Sequence, residues 1–301
     1  MITKGVKIFM LHTLQNDVLK ITVADYGAEL KSITGVKDGA EYLHNGNPQY
    51  WKYTSPVLFP FVGKVVNNKY RVEGKEYELP QHGFARTSEF NCVREAKDEL
   101  AFRLNWSEET LKVYPYKFML EIAYILRNNE VEVMWTVENL DNKEIYFSIG
   151  AHPALKCPIV DGENFDDCYL KFDTVEKSSR ILLAANGNLS HKRVETLDGK
   201  ELNLSYELFK GDALVFDDLK SEEISICSRK SSKSITIRAM HFPYMGIWTP
   251  AKGGAPLLCI EPWLGHADYE DFTGDFSEKE GINKIPVGES FDAGYTFIIK
   301  E

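Results

Sequence analysis

Almost every stretch of this chain that has a hydrophobic period has a period of two. In VEVMWTVEN, Val131, Val133, Trp135 and Val137 fall on one face, and Glu132, Met134, Thr136 and Glu138 on the other. Successive side chains of a strand point to opposite faces, so the pattern specifies a strand with one dry and one wet side. LAFRLNW, YKFMLEIAYIL, EISICS, SITIRAM and GYTFIIK repeat it. Turn formers stand between such runs: Glu73-Gly74 splits Tyr70 to Leu79 into a hairpin, and Asn128-Asn129 and Asp141-Asn142 punctuate in the same way. Helical periodicity is confined to short stretches at 108–113 and 204–209. Such a chain folds as an all-β antiparallel sandwich or barrel. No linker, low-complexity tract or fixed-period repeat interrupts the series, so residues 1–301 read as a single domain.

Composition narrows the partners. At 44% hydrophobic and 27% charged the chain can bury a sizeable core. A formal charge of -10 argues against nucleic acid and anionic membranes, and leaves a small, neutral or weakly charged ligand as the expected partner. No window approaches the roughly 18 apolar residues of a membrane helix. The opening MITKGVKIFMLHTLQND reads as a first strand and not as a signal peptide, since polar residues interrupt its apolar run and no small-residue cleavage site follows. Five scattered cysteines without a CxxC pair fit a reducing cytoplasm and no zinc site. The acidic stretches at 161–167 and 277–280 read as solvated loops.

Three residues stand in settings that suggest chemistry. The run LLCIEPWLG places Glu261 against Pro262 and Trp263, with Leu258 and Ile260 as apolar strand partners. Proline has no N–H for the ladder, so Glu261 is expected at a strand end, partly desolvated beside an indole. A carboxyl so placed has a raised pKa and can act as a general base near neutrality. Cys259, on the same strand, reads as a small apolar filler. His82, in LPQHGFAR, is framed by proline and glycine, which fix the backbone and clear space. His152, in IGAHPAL, shares its strand face with Ser148 and Gly150, the companions of a cavity-lining residue, while Phe147, Ile149 and Ala151 take the other face.

Two histidines and a glutamate could bind a metal, but they come from three distant segments without metal-ligand spacing. No serine or cysteine sits in a nucleophile-elbow sequence. Proton traffic remains, with one carboxylate base, one imidazole acid and a second imidazole donor. The opening and closing of a cyclic hemiacetal sugar needs that set.

The tags VADYGAELKSI, PVLFPFVGK, LPQHGFAR, IGAHPAL and CIEPW occur in this order along the chain. Together they resemble the aldose 1-epimerase (mutarotase) family, in particular its LacX-like branch. The resemblance implies the galactose mutarotase-like supersandwich, a large antiparallel β-sandwich with an open groove, and an isomerase that interconverts the α and β anomers of a free aldose without metal or cofactor. It implies Glu261 as general base on the anomeric hydroxyl, His152 as general acid on the ring oxygen and His82 as a second donor there. Lys64, Arg86 and Trp263 are then substrate-binding, with Lys64 standing where many galactose-type members have arginine. For a hydroxyl-gripping aspartate the sequence offers Asp217 and Asp218. Two alternatives stay open. One is a hexose-6-phosphate 1-epimerase, with Arg86 and Lys52 meeting the phosphate; the other is a non-catalytic sugar-binding protein on the same fold. A monomer or a homodimer fits equally.

Overall fold

The computed structural model describes residues 9–301. The strand expected at the start of the chain spans Leu11–Gln15, and residues 1–8 lie outside the described part. With Leu19–Ala24 and Leu30–Gly35 it forms a three-stranded antiparallel sheet. Facing it is a fifteen-stranded antiparallel sheet that runs from Val57–Leu58 at one end to Asn91–Glu95 at the other. The expected all-β antiparallel architecture is therefore present.

The alternation decides which side of the large sheet is dry. Glu130–Asn139 pairs with Phe118–Arg127 on one side and Ser290–Lys300 on the other, and Val131, Val133, Trp135 and Val137 are all buried while their alternates are half-exposed. This face packs on Leu19, Ile21 and Val23 of the small sheet in one continuous core. The Tyr124 hydroxyl donates to the Ala28 carbonyl at 2.7 Å, which satisfies a polar group inside it. Lys69–Val72 and Lys75–Glu78 form the expected hairpin. Glu73 and Gly74 both have positive φ, +53° and +77°, as a two-residue type I′ turn requires. Among the described residues no helix is long and apolar enough to cross a membrane.

Two features depart from the sequence reading. Cys168–Leu183 and Leu189–Asn203 form one long hairpin whose register shifts three times. Each irregularity bends the ribbon, and the turn end of this hairpin, itself part of the large sheet, supplies one wall of a cavity. The second departure concerns Glu261, which sits inside the strand Leu257–Leu264 and not at its end. One edge of that strand pairs without a break with Tyr244–Trp248, Pro262 opposite Met245. The other edge changes partner, from Ala154–Lys156 to Ile149–Ala151, so Ile260 to Pro262 face the gap at His152-Pro153. The strand thus passes through Pro262 where that edge has no ladder to lose.

Candidate active site

The partner change brings the expected residues together. Leu258 and Ile260 point into the main core, so Cys259, Glu261 and Trp263 take the opposite face of the strand. Over that face lies a cavity of about 340 Å³ lined by Glu261, His152, His82, Lys64, Arg86 and Trp263. All six residues proposed from the sequence meet there. Asp212, Gln81, Trp51 and Trp248 complete its polar and aromatic wall.

His82 follows the Lys75–Glu78 strand in a left-handed backbone, with φ of +68°, and Gly83 continues it at +66°. A Cβ on Gly83 would stand 2.3 Å from the Phe59 carbonyl oxygen, so only glycine fits. Two bonds to Gly63 hold the strained histidine: its N–H donates to the Gly63 carbonyl at 2.9 Å, and the Gly63 N–H donates to Nδ1 at 3.1 Å. Since Nδ1 accepts, the neutral ring carries its proton on Nε2. Burial pushes its pKa well below the ordinary value, with His152 and Arg86 adding to the effect. His82 is therefore a neutral, fixed donor.

His152 occupies the gap beside Glu261, its Nε2 3.4 Å from Oε2. Trp51 stacks on the ring at 4.5 Å, Trp248 meets it edge-on at 5.6 Å, and His82 does so from another side, also at 5.6 Å. His44 fixes Trp51 by a 2.9 Å contact from Nε2 to the Trp51 carbonyl. His44 is itself buried, in support of this wall. Burial, followed by the Arg86 charge, lowers the His152 pKa to about 3. Glu261 is 2% exposed, and burial raises its carboxyl well above the ordinary range. The Trp263 indole N–H opposes that shift without closing a hydrogen bond, and Asp212 reinforces it. Both members of the pair are thus driven toward their uncharged forms.

Two glycines seat the Trp263 indole. A Cβ on Gly246 would lie 2.3 Å from Cζ2, and one on Gly150 2.6 Å from Cδ1. Gly246→Ala is expected to push the ring off this seat, to destabilise by about 1–3 kcal/mol and to lower kcat/KM. Urea denaturation and tryptophan fluorescence would detect the displacement, and unchanged values for both would refute it.

Lys64 Nζ donates to the Asn186 carbonyl at 3.0 Å, which ties it to the turn of the long hairpin. Arg86 donates to the Gln81 carbonyl at 2.8 Å and lies over the Tyr53 ring. Lys52 is exposed, lies over the same ring and does not line the cavity. Asp217 is bound by Arg193 at 2.5 and 2.7 Å, and Asp218 accepts from Ser178, so neither lines the cavity. Asp212 does, and the sequence reading passed it over; its one signal was the Gly211-Asp212 pair, whose Asp212 has φ of +80°. Trp51 gave no signal at all.

The family model for aldose 1-epimerase matches residues 10–281. The chain belongs to the aldose 1-epimerase family. Within it, this family member is 32% identical over 281 residues to the chromosomal protein LacX of Lactococcus lactis subsp. lactis, covering 90% of the chain and 93% of LacX. The solved structure of a galactose mutarotase related enzyme from Lactobacillus acidophilus superposes with a TM-score of 0.93 at 34% identity, over 97% of this chain and 98% of that one. A galactose mutarotase-like protein from Lactobacillus casei superposes at 0.90 and 28% identity, over 97% and 100%. The fold and the LacX-like affinity expected from the motifs are both present in this epimerase family member.

Proposed function

We propose that the protein interconverts the α and β anomers of a free aldose by opening and reclosing the sugar ring. The observation that carries this is the His152–Glu261 pair, 3.4 Å apart and buried at the floor of a cavity large enough for a hexose. Burial favours one proton on the pair, resting on the carboxyl with the imidazole neutral. A bound sugar brings hydroxyls that solvate the carboxylate, so the proton can cross to His152. That one transfer creates both partners of the reaction. Glu261 then takes the proton of the anomeric hydroxyl, and His152 delivers its own to the ring oxygen as the C1–O5 bond breaks. The Nε2–H of His82 hydrogen-bonds the oxygen where charge develops. Rotation about C1–C2 and the reverse steps give the other anomer.

A free sugar is favoured over a sugar phosphate by the cavity's charges. Asp212 stands against Lys64 and Arg86, and both cations are already tied to backbone carbonyls, which leaves neither free to clamp a phosphate. The test is polarimetry of freshly dissolved α-D-glucose and α-D-galactose, with glucose 6-phosphate in parallel. Faster rotation change with the free sugars supports the reading. Acceleration of the phosphate alone moves the substrate to the phosphorylated class, and no acceleration of any refutes the activity.

The pH profile checks the shared proton. Activity should stay level while the pair holds one proton, and its height should reflect the fraction on His152. The acidic limb, where a second proton arrives, is expected near the lowered His152 value of about 3. The basic limb, where the only proton leaves, is expected well above the ordinary carboxylate range. Limbs of kcat/KM at the free-residue values of about 4.3 and 6.5 would show two independent groups and sink the shared-proton account.

A further inference from the structure

The Cys259 thiol lies on the same strand face as Glu261, two residues before it, and is completely buried beside Ala154 and Trp248. Its sulfur, a ring nitrogen of His152 and a carboxylate oxygen of Glu261 all lie within 4.8 Å of one another. We propose that these three residues form a binding site for a zinc-class transition metal ion, which occupies the sugar pocket in competition with the aldose.

The donor set is what such an ion selects. One thiolate, one imidazole and one carboxylate suit zinc in composition, and three protein donors leave a fourth position for water. Zinc distances of about 2.0–2.3 Å put neighbouring donors of a tetrahedron roughly 3.3–3.7 Å apart. His152 Nε2 and Glu261 Oε2 are already 3.4 Å apart, so the sulfur is the donor left to draw in. Hard cations are disfavoured because they take oxygen ligands. His152 Nδ1 is buried and has no hydrogen-bond partner, so nothing behind the ring strengthens it as a ligand. The site is accordingly weaker than a structural zinc site. Binding displaces the thiol proton of Cys259 and the proton shared by Glu261 and His152, releasing both to solvent. Because the ligands must lose these protons to bind, affinity grows with pH.

A second cluster, His12, Cys92 and Glu95, also brings its donor atoms within 4.8 Å of one another, with Glu95 exposed. The experiment therefore uses the Cys92→Ser background. Cobalt(II) is titrated into that protein and into a further variant that also carries Cys259→Ser, with Cys259→Ala as the alternative should serine impair folding. The expected result is one cobalt per chain with a thiolate-to-cobalt charge-transfer band, lost when Cys259 is replaced and displaced by zinc. Excess aldose should weaken the band. Cobalt binding without the band, a band that survives loss of Cys259, or no binding would overturn the site.

The inhibition rests on the proposed epimerase activity, whereas the spectrum does not, so the two failures are distinguishable. Zinc should inhibit mutarotation competitively with the sugar, and Cys259→Ser should raise the inhibition constant at least tenfold while it leaves the metal-free rate unchanged. Equal inhibition of both proteins would overturn the proposal.

Discussion

Replacement of Glu261 by glutamine is expected to lower catalysis by orders of magnitude and to make the protein more stable. Glutamine keeps the shape of the side chain, but it cannot take a proton from the anomeric hydroxyl. The loss should amount to about 10²–10⁴-fold in kcat, the usual contribution of one proton-transfer group. Stability moves the other way because the native site disfavours the carboxylate. The folded pKa lies above the ordinary value of 4.5, so between the two values the unfolded chain ionises while the folded one does not. Wild-type stability is therefore fully present below pH 4.5 and falls as pH rises toward the folded value. Glutamine has no such dependence, and its advantage should widen with pH until the native carboxyl ionises. Polarimetry and urea denaturation at several pH values test both halves. A variant with undiminished mutarotation would remove Glu261 from the mechanism, and one with no gain in stability would remove the buried carboxyl from the explanation.

The largest stability effect is expected behind the opposite wall. Lys279 and Asp268 form an ion pair at 2.6 Å with side chains only 2% and 4% exposed. Asp268 also accepts from the Val66 N–H at 2.9 Å, and its own N–H donates to the Lys64 carbonyl at 2.8 Å. The Asn188 amide donates to that Lys64 carbonyl too, so the pair anchors the backbone that carries Lys64 into the cavity. Lys279→Met leaves a buried carboxylate without its cation and should cost about 3–5 kcal/mol. The double variant Lys279→Met with Asp268→Asn should recover most of that, since no unpaired charge remains and the asparagine oxygen still accepts from Val66. The single variant should also raise KM for the sugar more than it lowers kcat. Denaturation of both variants decides the matter: equal losses would mean that packing, and not charge, is what the pair supplies.

The motif frames around His82, His152 and Glu261 were legible because each is local. Pro80 and Gly83 announce a fixed backbone, and the small residues Ser148 and Gly150 announce a face left open. The alternation of Val131 to Val137 was legible for the same reason, since a strand's two faces are written every second residue. The stretch at 277–280 was misread because its charge pattern is that of a solvated loop, yet Lys279 is buried. Nothing near Lys279 in sequence reveals Asp268 beneath it, and a lysine is inside only where such a partner waits. Asp212 and Trp51 were missed likewise, since each reaches the cavity from a loop whose path is set elsewhere.

Strand content, the dry face of the large sheet and the three residues suited to proton transfer were determined by the sequence itself, because steric and hydrophobic periodicity act over a few neighbours. Which residues meet was decided by the tertiary structure. The switch of Leu257–Leu264 from one pairing strand to another opens the gap where His152 stands 3.4 Å from Glu261, and the same packing excludes the water that would hold both at their ordinary pKa values. Burial and long-range pairing are properties of the assembled sheet, and no window of the chain contains them.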